Sequence, residues 1–424
     1  MGEAIEKVVR GYWESELPET KGREIDPHVG EDTITDIVGP RRAGKTFLMF
    51  SIMRDLPRRS TIYVNFEDRR LLPLTSDYFN DIVGLVHAEQ LLEEHEKIYL
   101  FLDEVQRIEG WERYVRSIHD EFKARMKVFV TGSSASLLRP DYARLLTGRH
   151  LTTVVLPLSF REFLAFKGMV IGDRATTERE ESLIKRRLRE YMTHGGFPEV
   201  VLGKQKEMML SQLFTDIVSR DITSRVGVRN ENVMEELSNY CAANVSNLLS
   251  FGKMMRYFKS RGIKTSKPTL IQYFRHMKNA FLFFDNTIFS YKIKDQLQYP
   301  RKIYAIDNGI ANLAGAENLG MICENTVAVE LLRRGARMHY WKSRTGEEVD
   351  FIVREGSRIR ALQVCYDPEA VDTRERETRA LLKCMNEFGL KRSEVITFDY
   401  EDEEEIEGRR IDYVPLWKFL LRRR

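Results

Sequence analysis

Eight residues, Gly39-Pro-Arg-Arg-Ala-Gly-Lys-Thr46, constrain this chain more tightly than any others. They fit G-x-x-x-x-G-K-[ST], follow the apolar-alternating run Thr33-Ile-Thr-Asp-Ile-Val38, and precede Phe47-Leu-Met-Phe-Ser-Ile-Met53, which reads as a helix. A loop of this kind turns backbone N–H groups inward around an anion, and the dipole of the following helix faces the same charge. The expected nucleotide-binding set is therefore Gly39, Pro40, Arg41, Arg42, Ala43, Gly44, Lys45, Thr46 and Phe47. Lys45 would reach the β- and γ-phosphates, and the Thr46 hydroxyl would ligate Mg²⁺.

A phosphate loop alone hydrolyses nothing, so a second group of acids is needed nearby. Lys97-Ile-Tyr-Leu-Phe-Leu-Asp-Glu104 is a buried-strand run ending in two of them. Asp103 is expected in the Mg²⁺ shell and Glu104 as the residue that polarises an attacking water. Further short, β-branched or aromatic runs, Ser60–Asn65, Lys127–Thr131 and Leu151–Val155, alternate with helix-patterned stretches such as Trp111, Val115, Ile118 and Phe122. Five strands in this alternation predict an α/β fold, a parallel sheet covered on both faces with its ligands at the carboxyl ends of the strands. Thr131 and Ser134, after the fourth strand, read either as hydroxyls that report the γ-phosphate or as part of a Gly-Ser turn. Arg149, just before the fifth strand, reads either as a cation reaching a neighbouring subunit's phosphates or as a surface arginine in an ion pair within the chain.

At 424 residues, 42% of them hydrophobic and 31% charged, the chain is expected to form two to four domains. Cys241, Cys323, Cys365 and Cys384 are far apart and show no C-x-x-C pairing, which speaks against a disulfide framework or a zinc site and fits a reducing cytoplasm. The acidic start, Met1-Gly-Glu-Ala-Ile-Glu-Lys7, lacks the pattern of a signal peptide, and no run of 18 apolar residues predicts a membrane span. The stripe Ile5, Val8, Val9, Tyr12 and Trp13 predicts an N-terminal helix docked on the phosphate-loop core. Charge is uneven. Lys253 to Lys302 carries twelve basic residues against Asp285 and Asp295, so this segment holds +10 and the rest of a chain of net charge +3 holds −7. That asymmetry reads as a footprint for a polyanion such as DNA, or as a solvated face.

Gly39–Thr46, Leu102-Asp-Glu-Val-Gln106, Thr131-Gly-Ser-Ser134, Leu146-Thr-Gly-Arg149 and Pro157-Leu-Ser-Phe-Arg-Glu-Phe163 together resemble the archaeal and bacterial AAA+ ATPases of the STAND-related branch. Gly195-Gly-Phe-Pro-Glu199 and Ser219-Arg-Asp221 resemble that group's helical lid. The resemblance implies a P-loop (AAA+/ASCE) core that hydrolyses ATP with Mg²⁺. Lys45, Glu104 and Arg149 would be its catalytic residues, Arg149 from a neighbour in a homo-oligomer.

The same resemblance proposes a winged helix and then a degenerate restriction-endonuclease-like, PD-(D/E)XK domain. Local patterns support the first. Ser250–Lys259 and Thr269–Lys278 read as two helices, with Phe281–Phe284 and Arg301–Ile306 as wing strands, a module for DNA or for protein packing. For the second, the resemblance implies an acid at Glu324 or Glu330, another at Asp350, and an E-x-K strand. Here Gln363 and Cys365 stand in place of that carboxylate and lysine, so nuclease chemistry is expected to be lost. The run Glu401–Glu405 reads as a solvated acidic loop and Arg374–Arg379 as a charged helix face. The divisions drawn from all this are an N-terminal arm at 1–30, a P-loop core at 31–167, a lid at 168–232, a winged helix at 233–312 and a nuclease-like domain at 313–424. The leading expectation is an ATPase that moves a DNA-associated module. An ATP-dependent nuclease and a slowly hydrolysing ATP-gated scaffold are the alternatives.

Overall fold

A computed structural model describes residues 2–133, 149–172, 177–224, 227–315, 318–356, 358–369 and 371–422. Ser134 and Gly148 lie outside the described residues. Two compact units divide the chain, one spanning Met1–Leu156 with Asn279–Phe281 and the other Pro157–Lys278 with Leu282–Arg424.

The first unit is built on one sheet of five parallel strands in the order β2-β3-β4-β1-β5. These are β1 (Ile34–Val38), β2 (Thr61–Asn65), β3 (Ile98–Asp103), β4 (Met126–Gly132) and β5 (His150–Val154). Successive side chains point to opposite faces. Ile34, Val38, Leu100, Leu102, Val128 and Val130 enter one core with the helices Gly2–Glu14, Asp77–Ala88 and Trp111–Phe122. Ile37, Phe101 and Phe129 enter a second with the helix Lys45–Arg54, where the rings of Phe101 and Phe129 stack 4.6 Å apart. Both faces are thus covered by helices, which is why these strands read as continuous apolar runs. The N-terminal helix buries Ile5, Val8, Val9 and Tyr12, and Trp13 Nε1 donates to the Thr61 carbonyl at 2.8 Å. Register fixes the site. Asn65 stands opposite Asp103, Leu102 opposite Val130 and Val38 opposite Gly132, so the carboxyl ends of β1 to β4 share one edge.

The second unit begins with helices at Phe160–Phe166, Glu178–His194, Pro198–Leu202 and Lys206–Asp216, followed by a wide π-type turn at Ile217–Ser224 and a helix at Glu231–Ala243. A three-stranded antiparallel sheet, β6 (Leu248–Leu249), β7 (Phe283–Asn286) and β8 (Arg301–Ala305), carries the helices Phe251–Ser260 and Lys267–Asn279 between its first two strands. A six-stranded mixed sheet follows, in the order β13-β14-β12-β11-β10-β9. Its strands are β9 (Arg337–Lys342), β10 (Glu348–Glu355), β11 (Arg358–Val364), β12 (Arg392–Thr397), β13 (Asp402–Ile406) and β14 (Arg409–Pro415). The helices Leu319–Arg333 and Val371–Phe388 pack on it.

One expectation fails here. The acidic run Glu401–Glu405 is no loop, because Asp402–Ile406 pairs antiparallel with β14 at the sheet edge. Charge along an exposed edge strand discourages pairing with other chains, and Glu404 is held by Arg374 and the Tyr413 hydroxyl. All four cysteines are buried free thiols. Among the described residues, no helix is long and apolar enough to cross a membrane.

Candidate nucleotide site

The loop Gly39–Thr46 leaves β1 at the carboxyl edge of the sheet and runs into the helix Lys45–Arg54. Gly39 passes so close to the end of β5 that a Cβ there would lie 2.0 Å from the Val155 carbonyl oxygen, so no side chain fits. Arg42 adopts a left-handed backbone, φ 60°, and so does Glu104, φ 54°. Such conformations cost on the order of 1–3 kcal/mol each and persist where the surroundings impose them. Lys45 is buried, its ammonium donating to the carbonyls of Gly39 at 3.2 Å and Pro40 at 3.0 Å, which holds it over the loop. Arg23 braces the loop from outside, donating to the carbonyls of Ala43 at 2.9 Å and Leu156 at 2.8 Å. Phe47 is 53% exposed beside the loop, its ring 5.9 Å from that of Phe50.

The acid pair meets this loop across one intervening strand. β4 lies between β1 and β3, yet the Thr46 hydroxyl donates to Asp103 Oδ2 at 2.8 Å. Asp103 is fully buried and accepts two further hydroxyls, from Tyr63 at 3.0 Å and from Thr131. Thr131 in turn accepts from the Glu104 backbone N–H at 3.0 Å. Its hydroxyl therefore faces the acid pair. Glu104 accepts from Gln106 Nε2. Burial above all lifts its carboxyl above the ordinary range, with the charge of Lys45 opposing and that of Asp103 adding. Tyr63 was not picked out from the sequence. It sits two residues before the end of β2, and only the β2–β3 pairing brings it to Asp103. Burial, then the Asp103 charge, pushes its phenol far above the ordinary value.

Lys45, Thr46, Asp103, Glu104 and Thr131 are thus gathered at one edge, whereas Arg149 is not. It precedes β5 at the opposite, amino-terminal edge, with Nε 3.4 Å from Asp120 Oδ1 and its backbone carbonyl accepting from Ile34 N at 2.8 Å. Hard oxygen donors from Thr46 and Asp103 2.8 Å apart suit Mg²⁺, and a loop that excludes Cβ at Gly39 with a lysine above it suits a polyphosphate.

In the second unit, the basic segment is less uniform than its charge count. Lys302 is buried, with its ammonium among Glu324, Glu348 and Asp350, and so is withdrawn from any surface. Lys278 and Arg301 share the largely buried Asp285. Lys253, Arg256, Lys259, Arg261, Lys264, Lys267, Arg275, Lys292 and Lys294 remain exposed. A groove of about 320 Å³ is lined by Lys267, Ile271, Arg275, Lys278, Tyr299 and Arg301. Of the two acids proposed for the C-terminal region, Glu324 lies with Asp350 on Lys302, whereas Glu330 pairs with Arg333 and Arg334. Gln363 accepts from the Asp350 backbone N–H at 3.1 Å, and Cys365 is buried in the adjoining core.

A five-stranded all-parallel sheet with this loop at the end of its first strand is the P-loop NTPase fold. Residues 31–164 match the family model of an AAA domain, residues 185–320 a domain of unknown function (DUF8612), and residues 319–419 another (DUF4143). The chain is 33% identical over 413 residues to the uncharacterized protein MJ1544 of Methanocaldococcus jannaschii, covering 94% of this chain and 90% of that one. It is 31% identical over 402 residues to an uncharacterized protein of Haemophilus influenzae, covering 91% and 94%. Among solved structures, the Walker-type ATPase PABY2304 of Pyrococcus abyssi aligns over 74% of this chain and 94% of its own at 12% identity, with a TM-score of 0.43. With a match over nearly its whole length, the chain belongs to the family of the MJ1544 protein, an AAA-type ATPase domain followed by two domains of unknown function.

Proposed function

We propose that the chain binds Mg²⁺·ATP at Gly39–Thr46, hydrolyses it, and uses the cycle to move a DNA-associated module. The observation that carries this reading is the contact between Thr46 and Asp103, which joins the loop to the acid pair. The loop N–H groups and Lys45 hold the phosphates, with the ammonium exchanging the Gly39 and Pro40 carbonyls for phosphate oxygens. Thr46 and Asp103 would hold Mg²⁺, whose charge neutralises phosphate oxygens as negative charge redistributes. Glu104 orients a water and takes its proton, and its burial-raised proton affinity favours that transfer. Thr131 and Tyr63 keep Asp103 in place.

Within this reading the chain is an AAA+ ATPase of the STAND-related branch, with the domain limits drawn above. The helices Phe251–Ser260 and Lys267–Asn279 with β6 to β8 form a winged helix, and the six-stranded region is a nuclease-like platform without nuclease activity. The exposed cations and the basic groove support DNA as the partner. Gln363 and the buried Lys302 support the loss of metal-dependent cleavage.

The test is ATP turnover and ATP binding measured with and without duplex DNA. Lys45→Ala should abolish nucleotide binding. Glu104→Gln should keep ATP bound while turnover falls by about a hundredfold or more. Wild-type turnover in Glu104→Gln would remove Glu104 from the chemistry, and indifference of turnover to DNA would remove the coupling.

A further inference from the structure

β8 sends two successive cations to opposite sides. Arg301 turns to Asp285 at 2.5 Å. Lys302, its side chain 3% exposed, turns the other way, and its Nζ lies 2.7 Å from Asp350 Oδ1, 2.9 Å from Glu348 Oε1 and 3.0 Å from Glu324 Oε1. These carboxylates come from β10 and from the helix Leu319–Arg333, whereas the ammonium comes from the three-stranded sheet. Each acid also has a second partner. Tyr304 donates to Glu324 Oε1 at 2.7 Å, Val364 N donates to Asp350 Oδ2 at 2.9 Å, and Lys342 Nζ lies 3.4 Å from Glu348 Oε2.

Three carboxylate oxygens at 2.7 to 3.0 Å form a shell sized for an ammonium. Magnesium needs oxygens at about 2.0–2.1 Å. Burial works against the charge on Lys302, but Asp350, Glu324 and Glu348 outweigh it and hold the ammonium well above its ordinary value.

We propose that Lys302 is the resident cation of this cluster, a tethered substitute that closes it to divalent metal and ties the three-stranded sheet to the six-stranded one. A metal ion entering would have to displace a group that its own strand keeps at high effective concentration. The proposal is independent of the nucleotide site and rests on no family assignment.

Mn²⁺ binding to the nucleotide-free full chain, read by electron paramagnetic resonance, tests it. Lys302→Met should take up one Mn²⁺ more than the wild type, and Lys302→Met with Asp350→Asn should lose that gain. A folded Lys302→Met protein with no gain overturns the proposal, as does wild-type Mn²⁺ binding that falls in Asp350→Asn. Should Lys302→Met fail to fold unaided, refolding with excess Mn²⁺ should recover it relative to refolding in chelator, and equal yields overturn the proposal.

Discussion

The Thr131 hydroxyl touches both acids of the nucleotide site, donating to Asp103 and accepting from the Glu104 backbone N–H. Valine has nearly the same shape but neither capacity, so Thr131→Val leaves a partly buried N–H without its acceptor and Asp103 with one donor fewer. A group left unpaired in this way costs about 1–3 kcal/mol. The expected outcome is that loss in urea unfolding together with a fall in kcat larger than any rise in KM, both restored by Thr131→Ser. A stability loss with kcat unchanged would make Thr131 a purely structural residue. The sequence shows Lys45, Thr46, Asp103 and Glu104 directly, because their chemistry demands fixed spacing within two short segments. Tyr63 is silent, since its partner lies on a neighbouring strand whose register is tertiary. Lys302 misleads, because charge counted along a chain cannot distinguish a surface lysine from one enclosed by acids of another sheet.

Among the elements, the turn at Gly195-Gly-Phe-Pro198 shows why a short motif is required. The helix Glu178–His194 ends as Gly195 takes φ 74°, Phe197 is buried, and Pro198 opens the next helix. Gly196 donates to the buried Asp307 at 2.7 Å and accepts from Leu158 N at 2.7 Å. A Cβ at Gly196 would lie 2.4 Å from the Leu158 carbonyl oxygen, which is backbone and has little room to give. Gly196→Ala should therefore cost about 1–3 kcal/mol, read as a lowered unfolding midpoint with an unchanged slope. An unchanged midpoint would mean that the Leu158 segment shifts freely. Elements were legible where one periodicity dominated, as in the parallel strands and in Trp111–Phe122. The edge strand Asp402–Ile406 was not, because an exposed, charged strand has the composition of a loop and only its partner β14 makes it a strand.

For the whole molecule, the open question is whether one copy carries a complete site. Arg149 immediately precedes β5 at the sheet edge opposite the phosphate loop, about 17 Å away along a five-residue strand. It therefore cannot meet its own chain's phosphates without the sheet being dismantled. Within the chain it has an exposed partner in Asp120, a pairing that contributes at most about 1 kcal/mol and can be exchanged at little cost. A second copy presenting Arg149 to the Gly39–Thr46 loop would supply a cation where charge develops on the transferred phosphoryl group, an effect of about 10³ to 10⁵ in other phosphate-loop enzymes. If Arg149 acts in this way, turnover per subunit should rise with protein concentration, and Arg149→Ala should flatten that dependence at the lower rate. Mixing separates this from a folding defect. Arg149→Ala retains an intact loop and Lys45→Ala retains the arginine, so the two preparations combined should turn over ATP faster than the sum of either alone. Flat specific activity in the wild type and no gain on mixing would leave Arg149 as the partner of Asp120 and the chain as a self-sufficient ATPase.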